Sequence, residues 1–216
     1  MGIFANILDL LFPPKCIFCG RFLPSSAECL CEKCNDGLPF TKGAQVRQKG
    51  DFFDECVSPL MYEGDVRKSI LRFKFKGMTA YAECYGQLLA QCIKEHLSGK
   101  FDMITWVPLS TKRAKARGYD QAMLLALASA LALNDVAVET LVKTAHVQAQ
   151  SSITDKEMRR ANVSGVYELK DKELIDGKRI LLIDDIITTG STLSECARVL
   201  LMNGAESVVC ATLARA

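Results

Sequence analysis

Ile180, Leu181, Leu182 and Ile183 form an uninterrupted apolar run that passes directly into Asp184 and Asp185. Side chains on a strand alternate between its two faces, so a run apolar at every position has no solvent side. Such a strand belongs inside a sheet covered on both faces, which is the habit of parallel sheets. Apolar strands of similar character are expected at 56–62, 103–107 and 207–213, with further short strands at 139–142 and 166–169. Between them, Val66, Ser69, Ile70 and Phe73 recur at helical spacing, as do Cys84, Leu88, Leu89, Cys92 and Ile93. Helices are predicted over 81–96, 121–133 and 191–202, and a basic loop after Val107. Strands alternating with helices predict an α/β fold with an open, mostly parallel sheet and helices on both faces. Ligands of such sheets sit at the carboxyl ends of the strands, so the segments after Ile183 and Val107 are the places to search.

Composition sets the outer bounds. With 216 residues of which 49% are hydrophobic, the chain has material for one full-size core and a small appendage. A net charge of +2, from 27 basic and 25 acidic residues, is too balanced to define a nucleic-acid binder by total charge. The apolar stretch 122–133 falls short of the roughly 20 residues that span a bilayer, so no transmembrane segment is expected. The first residues lack the basic start of a secretory signal, and Ile3, Ile7, Leu10 and Leu11 predict a short amphipathic helix ended by Pro13. A cytoplasmic location is the expectation.

Ten cysteines occur, and five of them fall between residues 16 and 34. Cys16 with Cys19 and Cys31 with Cys34 make two CxxC knuckles separated by eleven residues. Two such knuckles aim four thiolates at one tetrahedral centre, the ligand set of a closed structural zinc site. So short a module has few core-forming side chains and needs a staple. Disulfides would require an oxidising compartment, and a redox CxxC would sit beside a βαβ pattern that neither knuckle has. Cys29 is a fifth thiol able to replace a ligand. Cys56, Cys84, Cys92, Cys196 and Cys210 fall on core positions and read as small buried hydrophobes. Residues 1–45 therefore form the expected zinc module, 46–216 the α/β domain, and the polar stretch 43–51 their connection.

After the strand and its two acids comes a hydroxyl-rich turn, Thr188, Thr189, Gly190, Ser191 and Thr192, opening a helix. Successive backbone N–H groups at a helix N-terminus make an anion site, strengthened by the helix dipole. Gly190 allows close approach of a phosphate, while Asp184 and Asp185 suit sugar hydroxyls or Mg²⁺. A phosphate at one end and a diol at the other describe a ribose phosphate. Thr192 with Glu195 also reads as a capping box. The turn is no Walker loop, for it lacks both GxxxxGK[ST] spacing and a lysine.

The segment 183–192 resembles the phosphoribosyl pyrophosphate (PRPP) motif of type I phosphoribosyltransferases. With the four-cysteine module the whole layout resembles the ComF family, a competence-associated group joining a double zinc-knuckle module to a phosphoribosyltransferase domain. Leu11-Phe-Pro-Pro14, Phe73-Lys-Phe-Lys-Gly77, Val107-Pro-Leu109, Arg117-Gly-Tyr-Asp-Gln121 and Arg159-Arg-Ala-Asn162 extend the resemblance along the chain. It implies that Asp184 and Asp185 bind the ribose hydroxyls, directly or through Mg²⁺, and that Thr188, Thr189, Gly190, Ser191 and Thr192 cradle the 5′-phosphate. It implies a pyrophosphate loop at Leu109, Ser110, Thr111, Lys112 and Arg113, and a closing flap over 144–160. The first 60 residues hold no recognisable base-binding hood, and the zinc module is the candidate for that place.

Two basic groups flank these segments: Lys112, Arg113, Lys115 and Arg117, and Arg67, Lys68, Arg72, Lys74 and Lys76 with Phe73 and Phe75 between. They suit pyrophosphate, or single-stranded nucleic acid through backbone attraction and stacking, or simply a solvated face. Two functions stay open at this point. One is Mg²⁺-dependent transfer of a phosphoribosyl group from PRPP to an unidentified nitrogen nucleophile. The other is a non-catalytic adaptor of DNA uptake and natural transformation that contacts single-stranded DNA or a competence helicase.

Overall fold

The computed structural model describes residues 13–25, 28–144 and 165–216. Two long strands rich in apolar and β-branched residues, β7 (Arg179–Ile187) and β8 (Ser207–Arg215), run parallel through its centre. Their register pairs Arg179 with Ser207 and Ile187 with Arg215. β4 (Met103–Trp106) lies parallel on the other side of β7, from Met103 against Ile180 to Trp106 against Ile183. β2 (Cys56–Val57) and β3 (Leu60–Met61) both pair with β8 in parallel, and β1 (Arg47–Gln48) closes that edge antiparallel to β2. Among the described residues the sheet runs β1-β2-β8-β7-β4, with β3 beside β8.

Alternation along the central strands sorts the core into two halves. Leu181, Ile183, Val209, Ala211 and Leu213 point to one face. There they meet α2 (Gly64–Phe75), α3 (Tyr81–His96) and α5 (Gln121–Leu133). Ile180, Leu182, Val208 and Cys210 point to the other face, covered by α6 (Ser191–Met202). β5 (Leu141–Lys143) and β6 (Tyr167–Leu169), an antiparallel pair outside the main sheet, pack on this second face as well. The fold is of the type I phosphoribosyltransferase kind, with helices on both faces of a mostly parallel sheet. The cysteine module, with its helix α1 (Glu32–Gly37), buries Cys16, Ile17, Phe18 and Leu23 in the same half of the core as α2 and α3.

Several local expectations change. The strand expected at 56–62 is split into β2 and β3 around Pro59, which has no N–H to give the ladder. The polar connection 43–51 is partly ordered, with a 3₁₀ turn at Gly43–Val46 followed by β1. The basic loop after Val107 becomes α4 (Thr111–Arg117), because Ser110 accepts from Arg113 N and Gly118 ends the helix at φ 82°. The capping box does not form. Gly190 is the N-cap of α6, and the Glu195 carboxylate instead accepts from Gly165 N and Arg198.

The largest correction concerns cysteine. Cys29 and Cys84 form a disulfide that joins the cysteine module to α3, with Cα atoms 5.6 Å apart. Cys29 is therefore no metal ligand, and Cys84 is not simply a buried hydrophobe; Cys56, Cys92, Cys196 and Cys210 are free and buried as expected. The N-terminal amphipathic helix, the segment 159–162 and all of the 144–160 flap except Thr144 lie outside the described residues. Among the described residues no helix is long and apolar enough to cross a membrane.

Candidate functional site

Because β4 and β7 are parallel, the segments that leave them emerge at the same end of the sheet. A cavity of about 260 Å³ opens there, and its walls include Pro108 and Leu109 after β4, Asp184 and Asp185 in β7, and Thr192 in α6. The acid pair is not a loose strand end: β7 continues to Ile187, and Asp184 pairs in register with Thr212. A smaller cavity of about 40 Å³ adjoins it, lined by Asp184 and by the turn Thr188, Thr189, Gly190, Ser191 and Thr192. Gly190 holds φ at 78°, a left-handed conformation that glycine adopts without steric cost. As N-cap it brings no side chain to the first turn of α6, so this end of the helix keeps donors to offer an anion.

Opposite the acids stand cations that the linear order of the chain keeps apart. Lys74 from α2, Arg113 and Arg117 from α4, and Lys143 from β5 all line the larger cavity. Lys74 Nζ lies 2.9 Å from Asp185 Oδ1. Lys143 donates to Tyr167 Oη at 2.9 Å and sits 4.7 Å from that ring's centroid, while burial and then the Arg113 charge pull its pKa down. Burial, and next the adjacent Asp185 charge, push Asp184 up to about 8. Asp120 caps α5 through Met123 N and also accepts from Leu109 N at 2.7 Å, which fixes the turn after β4.

Of the predicted phosphate-binding residues, the structure brings Leu109, Arg113, Asp184, Asp185 and Thr192 to one cavity, and Thr188, Thr189, Gly190 and Ser191 to its neighbour. Ser110, Thr111 and Lys112 belong to the start of α4 and line neither. Four polar lining residues carry no role that the sequence alone assigns: Asp120, Gln121, Lys143 and Tyr167. Asp120 and Tyr119 lie in the segment 117–121 that shares the family resemblance, but nothing local to Lys143 or Tyr167 announces their pairing. The second basic group also divides. Arg72 donates to Ile17 O and Phe18 O in the first knuckle and is structural, whereas Lys74 turns to the cavity.

The cysteine cluster is a separate centre. The Sγ atoms of Cys16, Cys19, Cys31 and Cys34 all lie within 4.8 Å of one another. A zinc tetrahedron with Zn–S near 2.3 Å has edges of about 3.8 Å, so the set fits the ion. Burial opposes the Cys16 thiolate, yet N–H groups of Cys19, Cys31 and Phe18 aimed at its sulfur bring the thiol down to about 7. Four protein ligands leave no open position, so the zinc site is structural. A larger groove of about 760 Å³ runs beside this cluster, with Arg21, Lys33, Glu63 and Asp65 on its walls. Its mixed charge, and walls that share no residue with the turn of β7, set it apart from the phosphate chemistry.

Known protein families and proteins are similar to this chain along most of its length. The double zinc ribbon domain family matches residues 7–59, and the phosphoribosyl transferase domain family matches residues 122–216. Competence protein ComFC of Bacillus subtilis is 28% identical over 93% of this chain and 77% of its own length. DNA utilization protein YhgH of Escherichia coli K12 is 27% identical over 92% and 90%. Competence protein F of Haemophilus influenzae is 33% identical over 68% of this chain and 66% of its own. A four-thiol centre joined to a phosphoribosyltransferase domain, with relatives named competence protein and DNA utilization protein along most of the sequence, places the chain in the ComF family.

Proposed function

We propose that this protein binds PRPP or a related ribose phosphate and serves DNA uptake and natural transformation, the role its relatives' names suggest. The observation that carries the reading is the meeting of the acid pair, the Thr-Thr-Gly-Ser turn and four cationic side chains at one end of β4 and β7. The 5′-phosphate would rest on residues 188–192 and the ribose hydroxyls on Asp184 and Asp185. The pyrophosphate would lie towards Leu109, Ser110, Thr111, Lys112 and Arg113. In phosphoribosyl transfer the bond to pyrophosphate breaks through an oxocarbenium-like state. The protein then positions the reactants and stabilises the departing charge, and it needs no covalent nucleophile. Arg113, Arg117 and Lys143, which line the cavity, would supply that stabilisation.

Mg²⁺ is proposed as the partner of the ligand's pyrophosphate. At the acid pair, Asp185 Oδ1 already holds the Lys74 ammonium and Asp184 Oδ1 accepts from Asp185 N, so a divalent ion there would compete with a resident cation. Calorimetric titration of PRPP with Mg²⁺ tests the reading. Saturable binding in the wild type should weaken by more than about tenfold in Asp184→Asn/Asp185→Asn, as expected when hydrogen bonds to charged groups are lost. Equal affinity in the double variant would reject the site.

A second reading, an adaptor for single-stranded DNA or a helicase, is favoured by one surface feature. Arg117 stacks on the exposed ring of Phe75 at 4.6 Å, beside the exposed Lys112, Arg113 and Lys115 of α4. An aromatic ring flanked by cations is what base stacking and phosphate contact require together.

A further inference from the structure

The acid pair poses an electrostatic problem that the sequence leaves open. Even with a proton kept on Asp184, an acid pair at the wall of a partly enclosed cavity carries negative charge that repels an approaching phosphate, unless a cation compensates it. The structure contains such a cation within the chain. Lys74 is carried by the last turn of α2, and its ammonium lies 2.9 Å from Asp185 Oδ1 with side-chain exposures of only 18% and 14%. This differs from the exposed Lys68–Asp65 pair earlier on the same helix, where exposures are 70% and 47%.

The helix that carries Lys74 is held on several sides. Ser69 Oγ bonds Ile17 O, Arg72 donates to Ile17 O and Phe18 O, and Tyr119 Oη donates to Phe73 O. Phe73 is fully buried against Tyr85. Lys74 therefore approaches Asp185 from a fixed backbone, not as a long surface side chain sampling solvent. Its position, on the cavity wall and against one of the two acids, is that of a counter-ion built into the protein.

We infer that Lys74 is a specificity-determining residue of the ribose-phosphate site, a resident counter-cation that lets the acid pair take a sugar phosphate without a divalent ion at the acids. The inference rests on the ribose-phosphate reading and deepens it. Mg²⁺ then matters only for a ligand that brings a pyrophosphate. A simple sugar phosphate, which lacks that group, separates the two roles.

The test is titration of the full, zinc-loaded chain with ribose 5-phosphate in chelator-free buffer, with and without millimolar Mg²⁺. Wild-type affinity should change by less than about threefold on adding Mg²⁺, in keeping with a charge already compensated. Lys74→Gln should lose more than about tenfold without Mg²⁺, the effect of stripping one partner from a buried pair, and recover when Mg²⁺ is supplied. Lys74→Arg should stay close to wild type. Strict Mg²⁺ dependence in the wild type overturns the inference, whether or not Lys74→Gln folds. So does tighter binding by Lys74→Gln, which would make the pair an inhibitory contact. If ribose 5-phosphate and PRPP bind the wild type in neither buffer, the ribose-phosphate reading itself fails. Mn²⁺ alone, followed by loss of its free EPR signal, then probes the acid pair without any sugar. Uptake by Lys74→Gln and not by wild type supports Lys74 as the counter-cation, and equal uptake overturns it.

Discussion

Asp184 carries the clearest pH signature in the molecule. Burial, reinforced by the neighbouring Asp185 charge, lifts its pKa from the ordinary 3.8 up to about 8. The folded chain then keeps a proton that the unfolded chain releases above pH 4. Where the native state binds more protons, stability falls as pH rises, so this group costs stability progressively between about pH 4 and about pH 8. Asp184→Asn should remove that slope. The variant should be more stable than wild type at pH 8, by several kcal/mol if each pKa unit counts for about 1.4 kcal/mol, with the difference closing near pH 4. Thermal melts of the ligand-free protein across that range check the sign. A difference that widens toward acid would mean that Asp184 is held as the anion.

At the scale of elements, the close approach of α3 and α5 depends on one glycine. A Cβ on Gly86 would lie 2.5 Å from Ala128 Cβ, 2.7 Å from the Ala128 carbonyl carbon and 2.9 Å from Ser129 N. Backbone atoms cannot move aside as the tip of a flexible side chain can. Alanine is the better helix former by about 1 kcal/mol, but forcing it into a packed helix contact costs typically 1–3 kcal/mol. Gly86→Ala should therefore be destabilising on balance, by about 1 kcal/mol, in urea unfolding with an unchanged m-value. A more stable variant would show that the two helices part easily. The contact matters for the site because α5 begins at Asp120, whose carboxylate holds Leu109 N beside the cavity.

At the scale of the molecule, α2 links the two centres. Its Ser69 and Arg72 grip the backbone of the first cysteine knuckle, and its Lys74 reaches the acid pair. The zinc site thus supports more than its own loop. Cys16→Ser should release zinc, measured as metal per chain, and should loosen the Ile17–Phe18 backbone that receives Arg72. A structural zinc contributes folding energy directly, so a loss of several kcal/mol is expected, seen as a fall of about 10 °C in Tm for a chain of this size. Full zinc retention with an unchanged Tm would remove Cys16 from the ligand set.

Local physics made part of this legible in the chain itself. The apolar run 180–183 had to be a doubly covered strand, Cys16-x-x-Cys19 and Cys31-x-x-Cys34 had to converge, and Thr188 to Thr192 had to open a helix beside two acids. Each depends on neighbours a few residues apart, which is the range over which backbone geometry is set. The pairings of Lys74 with Asp185, Lys143 with Tyr167, Asp120 with Leu109 and Cys29 with Cys84 depend instead on which helix faces lie against which sheet end. Their residue types are common, and nothing in their spacing selects one partner over another. Only the tertiary packing brings them within bonding distance. It turned a basic stretch on α2 into one residue that anchors the zinc module and another that faces the acids.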